Sequence, residues 1–519
     1  MSTCSPRRTL SPRGTMILSS LSLALLLVGC ATWPKDVQTS LDKAGDNRAE
    51  LEKTLRHYQR RGDEQKLEAA RFLIRNMDGH GFILTAFYDK DGNEIEFDAL
   101  DYPNFKEAQA AIDVLEKKHG ELDYGSKRFD PDQEVVTAEY LIENIDLAFQ
   151  AWREKPWAKD LSFEAFREYI LGYRGDNEPI NSFRPACLAR YADLPEKMRD
   201  PTDVYEAADL VRKDVHRWIP FNELYYLHPT DQSFEEMNRR RNGRCGDISN
   251  MMMYAMRSNA IPAAVDFTPW WADRDNNHAW EVILDARGRG KAKLLSRAAK
   301  IYRKTFAIQR DSLAYRAGTG AKLPRYLNSK NYIDATDQYM ETTDVAVRLE
   351  GDKPSGTRFA YLCVFNAGKW RPIHWGELDG DHATFTKMGR RIACLPAYYI
   401  DEEVVPAGPP LILTSDGDVR ALTGDGDNTL TIELTIIKPE VPDADMRITK
   451  PMFVVEPGKT YELFVWGDGE WDSLGKQLAG GEPVSFDSVP AGRLYWLVEE
   501  NSRRLERIFT IEAGRQTWW

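Results

Sequence analysis

The hydrophobic residues of this chain change their period partway along it, and that change limits its fold more than any other feature. Up to about residue 218 they recur at helical spacing; beyond about residue 332 they alternate in short runs broken by Gly, Asp and Pro. In the first part, residues 137–152 place Leu141, Ile145, Ala148, Phe149 and Trp152 on one face, with Thr137 able to cap the start. Residues 49–61, 64–77, 105–119, 163–171 and 204–218 repeat the pattern, whereas 82–97, with Asp89-Lys90-Asp91-Gly92 at its centre, reads as a hairpin. In the last part, strand-like runs cluster in two groups, 345–436 and 452–511, a spacing that suggests one or two β-sandwich modules. A chain of 519 residues has room for three or four domains. The expected class is therefore multidomain α+β: a mainly helical region over 31–199, a mixed core over 200–310, a β-sandwich over 332–440 and a second over 441–519.

The first thirty residues read as a targeting segment. Arg7, Arg8 and Arg13 precede an apolar run from Met16 to Val28, which ends in Leu27-Val28-Gly29-Cys30. The run is too short for a permanent span and has the anatomy of a secretory signal. Small residues before a cysteine point to the lipoprotein form, with Cys30 as the acylated mature N-terminus. That places the body in the cell envelope, in the periplasm or at the cell surface, held to the inner or outer membrane through lipid only.

The formal net charge of -12 implies no large basic surface, which argues against a nucleic-acid partner. Of six cysteines, Cys4 leaves with the leader and Cys30 takes the lipid. Cys187, Cys245, Cys363 and Cys394 remain, and no pair has metal-ligand spacing, so neither metal nor cofactor is expected. Cys187 lies in a helical pattern and reads as a small buried hydrophobe. Cys363 and Cys394 both lie in strand-like surroundings and are candidates for a disulfide in an oxidising compartment.

Reactive chemistry concentrates between residues 238 and 285. A glycine-broken loop, Arg240-Arg241-Asn242-Gly243-Arg244, leads to Cys245; Ile248, Met251, Met252, Ala255 and Met256 then form one apolar helical stripe, closed by Asn259 and Pro262. Cys245 thus opens a helix, where unpaired N–H groups stabilise a thiolate and can donate to an oxyanion. Residues 263–268 read as a strand, 269–277 as a loop and 278–285 as a second strand, with His278 and Trp280 on one face. A histidine at that strand start can accept the thiol proton. A helix-opening cysteine or a strand histidine alone is usually structural; their order here is what raises the chemical reading.

The words Arg241-Asn242-Gly243-Arg244-Cys245-Gly246-Asp247, Ala260-Ile261-Pro262-Ala263 and His278-Ala279-Trp280 make the segment from about 200 to 305 resemble the transglutaminase-like superfamily, which shares the papain-like fold. The flank Ala299-Lys300-Ile301-Tyr302-Arg303-Lys304-Thr305-Phe306 is similar to secreted multidomain bacterial members. The resemblance implies Cys245 as nucleophile and His278 as its base. It also implies an orienting aspartate on the strand after the histidine strand, yet Lys291 to Leu295 holds no acid. Asp285, about 23 Å from His278 along an extended strand, faces the other side. Asp266 falls near His278 if the two strands pair antiparallel; a turn-bonding or solvent-facing Asp266 is the equal alternative. Two functional readings stay open. One is a thiol acyl-transfer enzyme that hydrolyses peptides or glycopeptides. The other is a catalytically degenerate module that binds protein or glycan, with Trp270-Trp271 and Trp518-Trp519 as contacts unless these pack internally.

Overall fold

The computed structural model describes residue 1 and residues 33–519, apart from 295, 352, 439–452, 482 and 503–505. The leader and Cys30 lie outside the described residues. The N-terminal region is helical where the periodicity is helical: Arg48–Arg61, Glu64–Arg75, Phe105–His119 and Ala138–Glu154 are helices. The Thr137 side chain accepts from the Tyr140 N–H and caps the last of them. Leu141, Ile145, Ala148 and Phe149 from its apolar stripe enter one core with Leu51, Leu55 and Leu73. The expected hairpin forms from Gly81–Tyr88 and Glu94–Ile95. It gains a third strand, Asp123–Pro131, whose mostly polar and exposed residues carry no alternating apolar signal.

The centre of the molecule is a helix-on-sheet unit. Helix α1 (Val204–Trp218) and helix α2 (Cys245–Ser258) pack beside strands β1 (Ala263–Thr268) and β2 (His278–Ile283). Two further strands, β3 (Tyr302–Lys304) and β4 (Tyr332–Asp334), complete an antiparallel sheet of order β2-β1-β3-β4. Residues 291–294 form no strand, contrary to expectation. The third strand is β3, and it pairs with β1, so β2 is an edge. Helix α2 is buried along almost its whole length, with Met251, Met252, Met253 and Met256 fully enclosed. Methionine's flexible thioether suits such an irregular junction between helices and sheet.

Beyond residue 342 the chain is antiparallel β. Among the described residues, the first module joins eight strands by hydrogen bonds into one continuous network. One face packs on itself, with Val345, Leu362, Phe385 and Leu413 in a common core. The other face, with Tyr361, Cys363 and Phe365, packs against Phe267 and Tyr302 of the central sheet and against Trp466 and Trp519 of the last module. Among its described residues, that last module holds a five-stranded sheet and two strand pairs around Leu434, Tyr461, Leu463 and Phe486.

Cys363 and Cys394, the candidates for a disulfide, do not pair. Cys363 stands directly opposite Leu395 in the register, so its neighbour Cys394 points through the sheet to the other face. Accordingly Cys363 belongs to one core and Cys394 to the other, and both thiols are free. Among the described residues, no helix is long and apolar enough to cross a membrane.

Candidate functional site

Cys245 is the first residue of α2, and the loop before it is built to hold that helix start. The Asp247 carboxylate accepts from the backbone N–H of Arg244 at 2.9 Å, from that of Gln232 at 2.9 Å and from Gln232 Nε2 at 3.1 Å. Gln232 Nε2 also donates to the Asn242 carbonyl. A Cβ at Gly243 would stand 2.7 Å from Asp247 Cβ and 2.9 Å from Gln232 Nε2, so only glycine lets the loop approach this closely. The Arg244 guanidinium pairs with Asp231, and this carboxylate raises its pKa further.

The thiol itself is half-buried, whereas Cys187, Cys363 and Cys394 are buried. Burial pushes the thiols of Cys187 and Cys394 up to about 12. The recorded hydrogen-bond partner of the Cys245 sulfur is the Tyr226 hydroxyl, 3.7 Å away. Sequence reasoning did not single out Tyr226, because it lies in a one-turn helix, Glu223–Leu227, too short to leave a periodic trace. That turn is tied to the cysteine loop by the backbone. Asn222 N–H donates to the Gly243 carbonyl, Gly243 N–H donates to the Pro220 carbonyl, and the Asn222 side chain caps the turn at Leu224. Phe221 packs edge-on against Tyr226 at 6.1 Å, and both rings are exposed.

Among the described residues the Cys245 sulfur shares a hydrogen bond with Tyr226 and none with His278. His278 stands opposite Thr268 at the start of β2. Alternation then divides the side chains of β2 between two faces. Ile283 and Ala279 join the core that contains α2, and Glu281 pairs with Arg212 of α1 at 2.6 Å. His278 and Trp280 lie on the opposite face, where the imidazole stacks against Trp280 at 5.4 Å and Trp271 at 6.1 Å. No hydrogen bond joins the imidazole to another side chain among the described residues. Burial lowers its pKa, Arg274 adds to the effect and Glu281 opposes it, so the ring is neutral near pH 7 and can accept a proton. It borders a cavity of about 500 Å³, also lined by Trp271, Trp280, Tyr205 and Arg212.

Asp266 does not reach His278. Its position in the register is opposite Trp280, one side-chain step further along the same face. Both carboxylate oxygens take guanidinium hydrogens of Arg303, each at 2.8 Å, and one also accepts from the Tyr339 hydroxyl at 2.7 Å. Arg303 stands beside Asp266 on β3, so the ion pair bridges adjacent strands and is fully buried. The pairing of β1 with β3 was invisible to local pattern, and with it the true partner of Asp266. Asp285, as expected, lies elsewhere: it accepts from the N–H groups of Arg287 and Arg289 and closes the turn after β2.

The loop before His278 is fastened by the C-terminal modules. Asn366 Nδ2 donates to the carbonyls of Trp271, Arg274 and Asn276. Asp275 accepts from the Ala367 N–H at 2.9 Å and from Lys438 at 2.8 Å. The buried Arg507 donates to the carbonyls of Ala272, Phe365 and Trp519. Trp271 is buried with Trp280, Ala298 and Ile301, and Trp519 with Phe365 and Trp466, so one tryptophan of each pair considered as a binding contact serves as packing.

The family model of the transglutaminase-like superfamily matches residues 192–289. No curated protein matches the chain. Among solved structures, a red sea bream transglutaminase is matched at 9% identity over 84% of this chain and 76% of that one, with a TM-score of 0.17.

Proposed function

Residues 192–289 form a transglutaminase-like core, and from that premise we propose that the protein is a thiol acyl-transfer enzyme acting on peptide or carboxamide bonds. The observation that carries this reading is the setting of Cys245: a half-buried thiol on the first residue of a long helix, while the other described cysteines are buried. In the proposed reaction the sulfur attacks a carbonyl carbon, the amine leaves with a proton, and a thioester remains on Cys245. Water then gives hydrolysis, and hydrolysis of peptides or glycopeptides is the form we favour. His278 is the proposed proton acceptor. We further propose that Cys30 carries a lipid that holds the protein at a membrane of the cell envelope.

A second reading is favoured by the stacking of His278 on Trp271 and Trp280. With the imidazole on the far face of β2 and Asp266 engaged by Arg303, the core matches a degenerate member that serves protein or glycan binding. The two readings separate by a trapping experiment. The protein is incubated with an activated ester or a glutaminyl peptide, quenched in acid and mapped by mass spectrometry. The enzyme reading expects an acyl group on Cys245, absent from Cys245→Ser and slowed in His278→Ala. Failure of every donor to acylate Cys245 would leave the binding reading in its place.

A further inference from the structure

We propose that Tyr226 is a catalytic residue of this site, its hydroxyl donating to the oxyanion that forms when Cys245 attacks a carbonyl; the inference rests on the acyl-transfer reading above. Tyr226 Oη lies 3.7 Å from the sulfur. A carbonyl carbon bonded to that sulfur can place its oxygen within one hydrogen bond of the phenol. The first N–H groups of α2, beginning with that of Cys245 itself, have no partner within the helix. Together they make a two-sided set of donors, one from the backbone and one from a side chain, as stabilisation of a tetrahedral oxyanion requires.

Three features fit a donor rather than an incidental neighbour. The position of Tyr226 is set by backbone pairing of its turn with the residues next to Cys245, through Asn222 and Gly243. Its ring is buttressed by Phe221 and still exposed at 46%, so a substrate can reach the hydroxyl. Burial and the neighbouring thiol raise the phenol pKa well beyond its ordinary range, so it keeps the proton that a donor needs.

The test compares two reactions of the same sulfur in the full chain. With p-nitrophenyl acetate, the C–S bond forms as the carbonyl π pair moves to oxygen; the pair then returns and expels p-nitrophenolate, leaving acetyl-Cys245. With iodoacetamide, sulfur displaces iodide directly and no oxyanion forms. Tyr226→Phe, which keeps the ring and its packing, should slow acylation on the order of 10²-fold, the usual effect of removing one oxyanion donor. Alkylation should change little, and thermal melting should match wild type. An equal slowing of both reactions would overturn the proposal, since the phenol would then act only on the thiol. Unchanged or faster acylation would overturn it as well, making the phenol a mere cover over the sulfur. Both of those results leave the enzyme reading intact as long as wild type acylates at Cys245 and Cys245→Ala does not. Absence of acylation in wild type would sink the parent reading and this one together.

Discussion

Replacing Asp266 with Asn should damage the fold rather than the chemistry of Cys245. The carboxylate and the Arg303 guanidinium have no exposed side-chain surface, and two hydrogen bonds of 2.8 Å join them. Removing one charge of a buried pair leaves the other uncompensated, at a cost of about 3–5 kcal/mol. Arg303 would keep the carbonyls of Gly288 at 2.8 Å and Gly290 at 2.7 Å, which draws the figure toward the lower end. The Tyr339 hydroxyl would lose its charged acceptor, adding about 1 kcal/mol. A total of about 4 kcal/mol, with a urea slope of about 2 kcal/mol/M, lowers the midpoint by about 2 M. Tryptophan fluorescence reports the transition, because Trp280 donates to the same Tyr339 hydroxyl. Adding Arg303→Met should recover part of the loss, since an apolar pair replaces a broken ionic one. In the folded state, labelling of Cys245 should proceed at the wild-type rate. An unchanged midpoint together with slower labelling would refute this account and return Asp266 to the role of orienting His278.

Iodoacetamide at neutral pH, followed by peptide mapping, should find Cys245 the fastest-labelled thiol of the folded chain, with Cys187, Cys363 and Cys394 reacting only on unfolding. Oxidation of the folded protein should produce no Cys363–Cys394 linkage in non-reducing mass mapping, because the two side chains face opposite sides of the sheet. Acid should weaken the fold through His278. Burial holds its pKa below the unfolded value of about 6.5, so the unfolded chain binds the proton first and stability is lost as pH falls from there through the folded value. His278→Gln should flatten that part of the pH–stability curve. Labelled palmitate should enter wild type but not Cys30→Ser; incorporation into the variant would remove the lipid assignment.

What the sequence by itself determined is whatever local period and local caps control. The helix 204–218, the helix opened by Cys245 and the strand 263–268 were legible because apolar spacing and the flanking Asn, Gly and Pro act within a few residues. The three matching words likewise identified the core's family, since they are read along the chain. Parity and partnership were decided only by the tertiary structure. His278 could be assigned to a strand start, but whether it looks toward α2 or away depends on which face that edge strand buries, and one residue inverts the answer. Asp266 could be seen to lie near His278 in register, but its ion pair with a residue 37 positions away waits on β3 joining β1. The contact of Tyr226 with the thiol and the fastening of residues 271–276 by Asn366 and Arg507 have the same origin. Hydrogen bonds and ion pairs between distant segments leave no periodic trace, so only the packed chain selects the partners.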